Sequence, residues 1–494
     1  MKKKNIYYYV LEEHQTKIEL QSTYDKEICY QILANFSSPL RDNSGFVSVP
    51  AKKIQRIVYN YAPYITYLIA EKIIYIDNQY EVGKKTRGYK LREVKHSNII
   101  KIDANNSEFI EGRIRYFNKI KNDKINLSKK DHFMEMKNNI TTFFKEFPID
   151  EIINDAQTIS DVNDRMAQFI LLNKIKDNNL YFKRNPTNYR LDTNLTNLAG
   201  NIKFYNPNNY TSIDISNSQP YFINLLLQYL IKSTNTTTYN NNCLPNNTFT
   251  TTSITIIPPP TFTTTIHNDS DMSCNYSIYQ ILNSSKYIYN TSNINENELN
   301  KFNAWTTTGK FYDNFVTTET TRAEIKDMMF CVLFSKPTSY LKEKELFNKH
   351  FPTIAAFIND FKIDNGYEQF AILLQRIEAR VVLDLICPLL VAAGIFLVTV
   401  HDSWIVKDED VERAKEIINS VFEIKPNLKL ESFNELREAK IHEFKNNIRR
   451  LKFEHKKSKY VNPMILLKNQ DKNRYFNLFT KCSNENKLHR QMAG

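Results

Sequence analysis

What this sequence lacks narrows it first. Six cysteines (Cys29, Cys243, Cys274, Cys331, Cys387 and Cys482) are scattered along 494 residues, with no CxxC pair and no Cys/His cluster. That distribution argues against a zinc site and against a disulfide framework, and it fits a reducing, cytoplasmic setting. Glycine is scarce, at 9 residues. The N-terminal MKKKNIYYYVLEEH starts basic but turns acidic at once, which is not the pattern of a signal peptide. The longest apolar run starts at Val381 and reaches the length of a membrane span, yet it contains Asp384, Pro388 and Gly394. It reads instead as a buried helix, a turn at Gly394 and a core strand. Residues 92–180 show no acidic constellation suited to a proofreading exonuclease.

What is present is aromatic and basic. With 29 Tyr and 31 Phe there is ample material for a core, and the length suggests about two to four domains. The formal charge is +12 and the isoelectric point about 9.1. Such a balance favours a polyanionic partner such as nucleic acid. A Lys-rich coding bias is the plainer source of the same charge.

The chain divides by pattern. In residues 1–95 a helix is expected near Tyr24–Asn35, a second in SVPAKKIQRIV from about Pro50, and a third in YAPYITYLIAEK. Two strands follow, IIYID and YEVGKKTRGYKL, joined at Asp77-Asn78, with Lys84, Lys85 and Arg87 on the second. This order resembles a winged helix-turn-helix, which offers a helix for a groove and a cationic hairpin for phosphate. The alternative is a small α+β domain that docks on the protein itself. Residues 96–184 read as helical. Residues 185–231 hold a short strand ending in Asp214 and a helix from about Pro220. Residues 232–300 are rich in Thr and Asn and read as a flexible surface insertion. Residues 301–370 and 371–435 are mostly long helices around the VTVHDSWIV stretch, and 436–494 form a basic, loosely packed tail.

VTVHDSWIV (Val398–Val406) reads as a hairpin with His401 and Asp402 at its tip. A carboxylate there needs a partner, and Asp214 stands at another strand end. In ETTRAEIKDMMFCVLF, Arg322, Lys326, Phe330 and Phe334 recur every four residues and so share one helix face. Two cations followed by two aromatics suit a nucleoside triphosphate; an amphipathic helix with snorkelling cations is the plain alternative. Two carboxylates can hold two Mg²⁺ ions for an in-line phosphoryl displacement.

These pieces, in this order, resemble the polymerase core shared by family A DNA polymerases and the single-subunit RNA polymerases of phages and mitochondria, over about Thr187 to Phe422. TNYRLDTNLTNL resembles the family's TxxGR-L segment, with Tyr189 in place of Gly; DISNSQP resembles motif A. R-x3-K-x3-F-x3-F-S resembles motif B, LLQRIEA a Gln-bearing palm helix, and VTVHDSWIV motif C. The resemblance implies an α+β right-hand fold: an antiparallel palm sheet, helical fingers, and a thumb within the helical region before residue 185. By it, Asp214 and Asp402 are metal ligands for two Mg²⁺. Arg322, Lys326, Phe330, Phe334 and Gln219 contact the incoming nucleotide, with Lys326 also a proton donor to pyrophosphate. Arg190, Gln375 and His401 contact primer or template. The implied partners are DNA template, primer and nucleoside triphosphates, in the replication of a mobile element or phage. Ser403 points towards RNA synthesis, whereas Gln219 and the absence of a Tyr hydroxyl at Phe334 oppose ribose selection, so the balance leans to DNA synthesis. An RNA polymerase or primase with the same site, and a non-catalytic DNA-binding regulator with a relic palm, are the alternatives.

Overall fold

The computed structural model describes residues 7–36, 46–77, 86–92, 97–104, 131–159, 161–240, 274–285, 287–318 and 320–454. It divides into two compact units. The smaller comprises residues 8–102, 154–169 and 442–494; the larger, residues 103–153 and 170–441 together with the first seven.

In the smaller unit, β1 (Tyr7–Leu11) leads into α1 (Glu12–Leu20) and α2 (Lys26–Phe36). Then come β2 (Val47–Ser48), α3 (Ala51–Gln55), α4 (Ala62–Ala70), β3 (Ile74–Ile76) and β4 (Gly88–Leu91). Strands β2, β4 and β3 form an antiparallel sheet in that order, and β1 pairs with β5 (Ile99–Asp103). The sheet packs on α2 through Phe36, stacked on Tyr89 at 4.4 Å between ring centres. The first expected strand is present as β3; of the second, Gly88–Leu91 is strand, while residues 78–85, with Lys84 and Lys85, lie outside the described residues. Helix α4 carries no charged residue. The exposed cations Lys52, Lys53 and Arg56 sit on and just after α3, and Arg87 is exposed beside β4.

The region predicted as one helical block is α5 (Asp131–Lys145), α6 (Ile149–Gln157) and α7 (Val162–Lys176), preceded by β5. Pro148 divides the first two, because proline cannot donate to a continuing helix.

The larger unit is built on a four-stranded antiparallel sheet. A small hairpin precedes it, β6 (Phe182–Arg184) with β7 (Leu191–Thr193), and then a 3₁₀ helix, Gly200–Tyr205. Strand β8 (Tyr210–Ile215) is followed by α8 (Ser218–Asn240), α9 (Cys274–Ser285), α10 (Glu296–Thr307) and α11 (Arg322–Phe334). Helices α12 (Leu341–His350), α13 (Pro352–Asn365) and α14 (Tyr367–Arg380) come next. A fully buried π-helical turn, Val381–Ile386, joins α14 to α15 (Cys387–Ala392). The chain turns at Gly394, at φ +73°, into β9 (Val398–Val400), β10 (Ser403–Lys407), α16 (Val411–Ser420), β11 (Leu428–Ser432) and α17 (Phe433–Glu454). The apolar run from Val381 is therefore a buried helix and a strand, and among the described residues no helix is long and apolar enough to cross a membrane.

The sheet order is β11-β8-β10-β9. Asp214 on β8 stands opposite Ser403 on β10 and Lys429 on β11; Ile213 stands opposite Trp404 and Leu430. Alternation along a strand sends Ile213, Ile215, Trp404 and Val406 into one large core, and Ser212 and Asp214 to the other face. A one-residue slip would exchange the two sets, so the core fixes where the carboxylate goes.

Two boundaries differ from expectation. Residues 232–300 are not loose throughout: α8 continues to Asn240, and α9 places Cys274, Ile278, Ile281 and Leu282 in the core. Their helical spacing is diluted by surrounding Asn and Ser, which hid it. The basic tail likewise begins as α17, which buries Phe433 and Phe444.

Trp404 is wholly buried, whereas Leu430, in register two strands away, is 42% exposed. Trp404→Ala should lower unfolding free energy by about 3–5 kcal/mol, and Leu430→Ser by about 0.5 kcal/mol or less, measured by urea denaturation.

Candidate functional site

The site is assembled on the polar face of the sheet. Asp214 comes from the end of β8. Asp402 comes from the two-residue turn between β9 and β10, whose flanking Val400 and Ser403 are paired. His401, the other turn residue, has φ +55°. Tight hairpin turns require a positive φ that a side chain disfavours by about 1–2 kcal/mol. The Ser403 hydroxyl donates to the carbonyl of Val400 at 2.9 Å and so ties down the hairpin. Its role here is local, which weakens its use as a sign of RNA synthesis.

The two carboxylates feel one another. Burial, then the charge of Asp402, push Asp214 up to about 7; Lys203 pulls the other way and Glu431 adds to the rise. Lys203, in the 3₁₀ helix, places Nζ 3.2 Å from Ser212 Oγ and 3.5 Å from Glu431 Oε2. Burial depresses the Lys203 pKa. Burial also opposes the charge on Glu431, but Lys429 at 2.8 Å, together with Lys203, holds it below the ordinary range. Asp214 and Asp402 are the residues that could hold a cation. Each offers only oxygen, and a bound divalent ion would relieve their repulsion. Among the described residues no group of three or more His, Cys, Asp or Glu is arranged for a metal ion.

A second charged group lies beside the pair. Glu378 on α14 is fully buried. Its Oε1 is 2.6 Å from Arg190 Nη2, and its Oε2 accepts from Gln219 Nε2 at 2.5 Å. Burial first and Asp402 second raise the Glu378 carboxyl above its ordinary range, while Arg190 and Gln219 oppose the rise. The His401 ring is lowered by desolvation and by Arg190, with Asp402 working against both. Arg190, Gln219, Glu378 and His401 therefore share one electrostatic neighbourhood with Asp402. Gln219 Oε1, Arg190 Nε and both amide atoms of Asn217 are buried without a hydrogen-bond partner.

Tyr189, which stands where the resembled segment has glycine, takes φ +62°, the conformation glycine favours. Its ring lies 5.7 Å from the Arg184 guanidinium and 4.9 Å from that of Arg376. Arg184 in turn grips Asp384 of the π-helical turn through two bonds, at 2.6 and 2.7 Å. Gln375 accepts from Asn188 Nδ2 at 3.2 Å. The segment 187–190 is thus clamped onto α14, which fixes Arg190 against Glu378.

Helix α11 begins with a capping box between Thr321 and Glu324. It buries Ile325, Met329, Val332 and Leu333 and turns Arg322, Lys326 and Phe330 outwards, with Phe334 half-buried. The predicted stripe exists. Phe330, 42% exposed, stacks on Phe334 at 5.5 Å. Arg322 Nε is 3.1 Å from Asp313, and its guanidinium lies 5.4 Å from the Tyr312 ring centre. Among the described residues, Lys326 has no hydrogen-bond or ion-pair partner. Tyr312 links this helix to the carboxylates: burial pushes its hydroxyl up to about 12, with Arg322 opposing and Asp402 assisting. The loop before it is pinned where Gly309, at φ +74°, meets Asn427; a Cβ there would lie 2.6 Å from Asn427 Oδ1. Asn427 also accepts from Ser216 Oγ at 2.9 Å, two residues past Asp214.

Sequence reasoning missed Glu378, Lys203 and Tyr312. Glu378 lies within the quoted LLQRIEA, three residues after Gln375, and Lys203 stands between buried Ile202 and Phe204. A lone charge inside an apolar run is the signal that could have found Lys203; Glu378, flanked by Arg376 and Arg380, gives no such local signal.

The Asp214 shift has a sign. Its folded pKa lies above the ordinary 3.8, so the folded state binds more protons than the unfolded one between about pH 4 and 7. Stability from this group falls as pH rises through that window. In metal-free buffer with chelator, Asp214→Asn should melt above wild type at pH 8, and the difference should vanish below about pH 4, as thermal unfolding would show.

No known family matches the chain, and no curated protein matches it. Among solved structures, it is similar to the POL domain of Pol1 from M. smegmatis in complex with DNA primer-template and dNTP, at 10% identity and a TM-score of 0.24. The match covers 55% of this chain and 51% of that one, so the chain spans about half the length of that polymerase domain.

Proposed function

We propose that this chain is a template-directed nucleic-acid polymerase, a nucleotidyltransferase that uses two divalent cations. The observation that carries the reading is the placement of Asp214 at the end of β8, opposite Ser403, with Asp402 in the adjoining hairpin turn, close enough to raise the Asp214 pKa. Such a pair is costly in a folded protein unless a cation uses it. Magnesium suits two carboxylates, since it keeps several waters and shares its remaining positions with phosphate. When bound, it supplies charge neutralisation for the attacking and leaving oxygens.

In this reading the four-stranded sheet is the palm, α11 with its neighbours forms the fingers, and the earlier helices supply a thumb. Arg322 and Lys326 take the triphosphate, and Phe330 and Phe334 meet the sugar and base. Lys326, exposed on the same helix face as Arg322, would protonate departing pyrophosphate in this reading. Arg190, Gln375 and His401 face primer and template. The resemblance described from sequence supports DNA synthesis on a DNA template, and Ser403 weighs less against it because its hydroxyl is tied to the Val400 carbonyl.

The smaller unit supports a winged-helix reading through its order α2–β2–α3–α4–β3–β4 and its sheet order β2-β4-β3. Its exposed cations favour phosphate contact through α3 and Arg87 rather than through α4.

Primer extension with Mg²⁺ and each nucleotide set tests the proposal. Wild type should extend a primer. Asp402→Asn should lose about a thousandfold or more in rate while still shifting primer–template in a gel. Lys326→Ala should lose about tenfold or more in kcat/KM for nucleotide. Absence of incorporation by wild type with either nucleotide set would overturn the proposal.

A further inference from the structure

One stretch of the smaller unit is exposed, basic and aromatic at once. From Phe46 to Ala70 the chain has no acidic residue, but it has Lys52, Lys53 and Arg56. All three are exposed, on α3 and at its C-cap. Three residues further, in the turn before α4, Tyr59 is 88% exposed, more than any other large hydrophobic side chain among the described residues. Three residues span no more than about 11 Å, so the ring and the Arg56 guanidinium belong to one patch of surface. Arg87, also exposed, joins them from the sheet. The N–H of Val49, two residues before α3, donates to the Arg87 carbonyl at 3.2 Å. The Arg87 side chain reaches the Tyr89 hydroxyl. Burial and then Tyr61 raise the pKa of that hydroxyl, and Arg87 opposes the rise by charge and by a hydrogen bond. Tyr61 is two residues past Tyr59, so one end of this unit collects these cations around an outward ring.

Phosphate accounts for the cations but not for the ring. A duplex keeps its base faces stacked on one another and offers a solvent-facing tyrosine only backbone and groove edges. A single strand leaves its base faces open, and an aromatic ring in a cationic surface is a platform for them. Helix α4 does not suit a duplex groove either. Its exposed residues are Ala62, Pro63, Thr66, Ile69 and Ala70, of which only Thr66 carries a side-chain donor. Its Tyr64 and Tyr67 are turned to Tyr24, at 5.2 and 4.9 Å between ring centres.

We propose that Tyr59, set among Lys52, Lys53, Arg56 and Arg87, is a stacking platform for an unpaired base, and that the smaller unit binds single-stranded DNA. The proposal rests on the phosphate-contact reading of this unit and narrows its partner to an unpaired strand. The strand is DNA because the larger unit is read as copying a DNA template.

The test uses the full chain and fluorescence anisotropy with labelled oligothymidylate of about 12 nucleotides, an oligouridylate of equal length and a dA·dT duplex of equal length. Each variant is first checked for native melting. Tyr59→Ala should weaken oligothymidylate binding about tenfold, the loss of one stacked base, without changing its salt slope. Tyr59→Phe, which keeps the ring, should bind as wild type does. Lys52→Ala and Arg56→Ala should each reduce the slope of log K against log salt by about 0.7. With 5-iododeoxyuridine in place of thymidine, ultraviolet crosslinks in wild type should map to the peptide that contains Tyr59. An equal loss on single strand and duplex in Tyr59→Ala overturns the proposal. So does tighter binding of oligouridylate than of oligothymidylate, or competition by polyglutamate as strong as by unlabelled oligonucleotide. Crosslinks confined to the larger unit overturn it whether or not Tyr59→Ala folds. If the salt slope falls in the Lys52 and Arg56 variants while Tyr59→Ala binds normally, the phosphate-contact reading stands and the proposal alone fails. If none of the three variants changes binding, both fail.

Discussion

The repulsion between Asp214 and Asp402 is the constraint on which the rest of the larger unit depends. Antiparallel pairing sets Asp214 opposite Ser403, next to Asp402 at the hairpin tip. A core that includes Ile213, Ile215, Trp404 and Val406 prevents the register from slipping to relieve them. The fold thus holds two like charges together with its largest apolar resource. Neighbouring groups temper the cost: Lys203 acts from the 3₁₀ helix, and Lys429 holds Glu431 so that its charge is shared.

The second layer of organisation is the clamp on α14. Tyr189 between Arg184 and Arg376, Asn188 on Gln375 and Arg190 on Glu378 join the segment 187–190 to that helix. Arg184 continues to Asp384 in the π-helical turn. Such turns are frequent at functional sites, and here one leads through α15 and the turn at Gly394 into the hairpin that delivers Asp402. The loop 309–312 is locked by Phe311, packed edge-on to Phe302 at 5.4 Å, and carries Tyr312, which lies under the Arg322 guanidinium and feels the charge of Asp402. The helix with the exposed cations and aromatics is therefore electrostatically connected to the carboxylate pair in the folded chain.

Much of this was legible in residue order. The hairpin at Val398–Val406, the strand ending near Asp214 and the α11 stripe all declare themselves through periods of two and of about four, which backbone geometry imposes on any buried element. The turn at Gly394 was legible for the same reason that Tyr189 was misleading. A positive φ usually needs glycine, and here a tyrosine wedged between two guanidinium groups adopts it instead. Glu378 was hidden because its meaning lies in Arg190 and Gln219, both more than 150 positions away in sequence. Helix α9 was hidden because its four core residues are diluted by Asn and Ser. Local pattern reports elements well, and long-range charge pairing is invisible to it.

The central claim is that Asp214 and Asp402 together form a divalent cation site. Manganese binding followed by electron paramagnetic resonance, with a chain-terminated primer–template and nucleotide present, tests it most directly. The account predicts saturable Mn²⁺ binding to wild type, displaced by excess Mg²⁺, that weakens about tenfold or more in both Asp214→Asn and Asp402→Asn while Glu431→Gln retains it. Equal Mn²⁺ binding by wild type and the two aspartate variants would contradict the account.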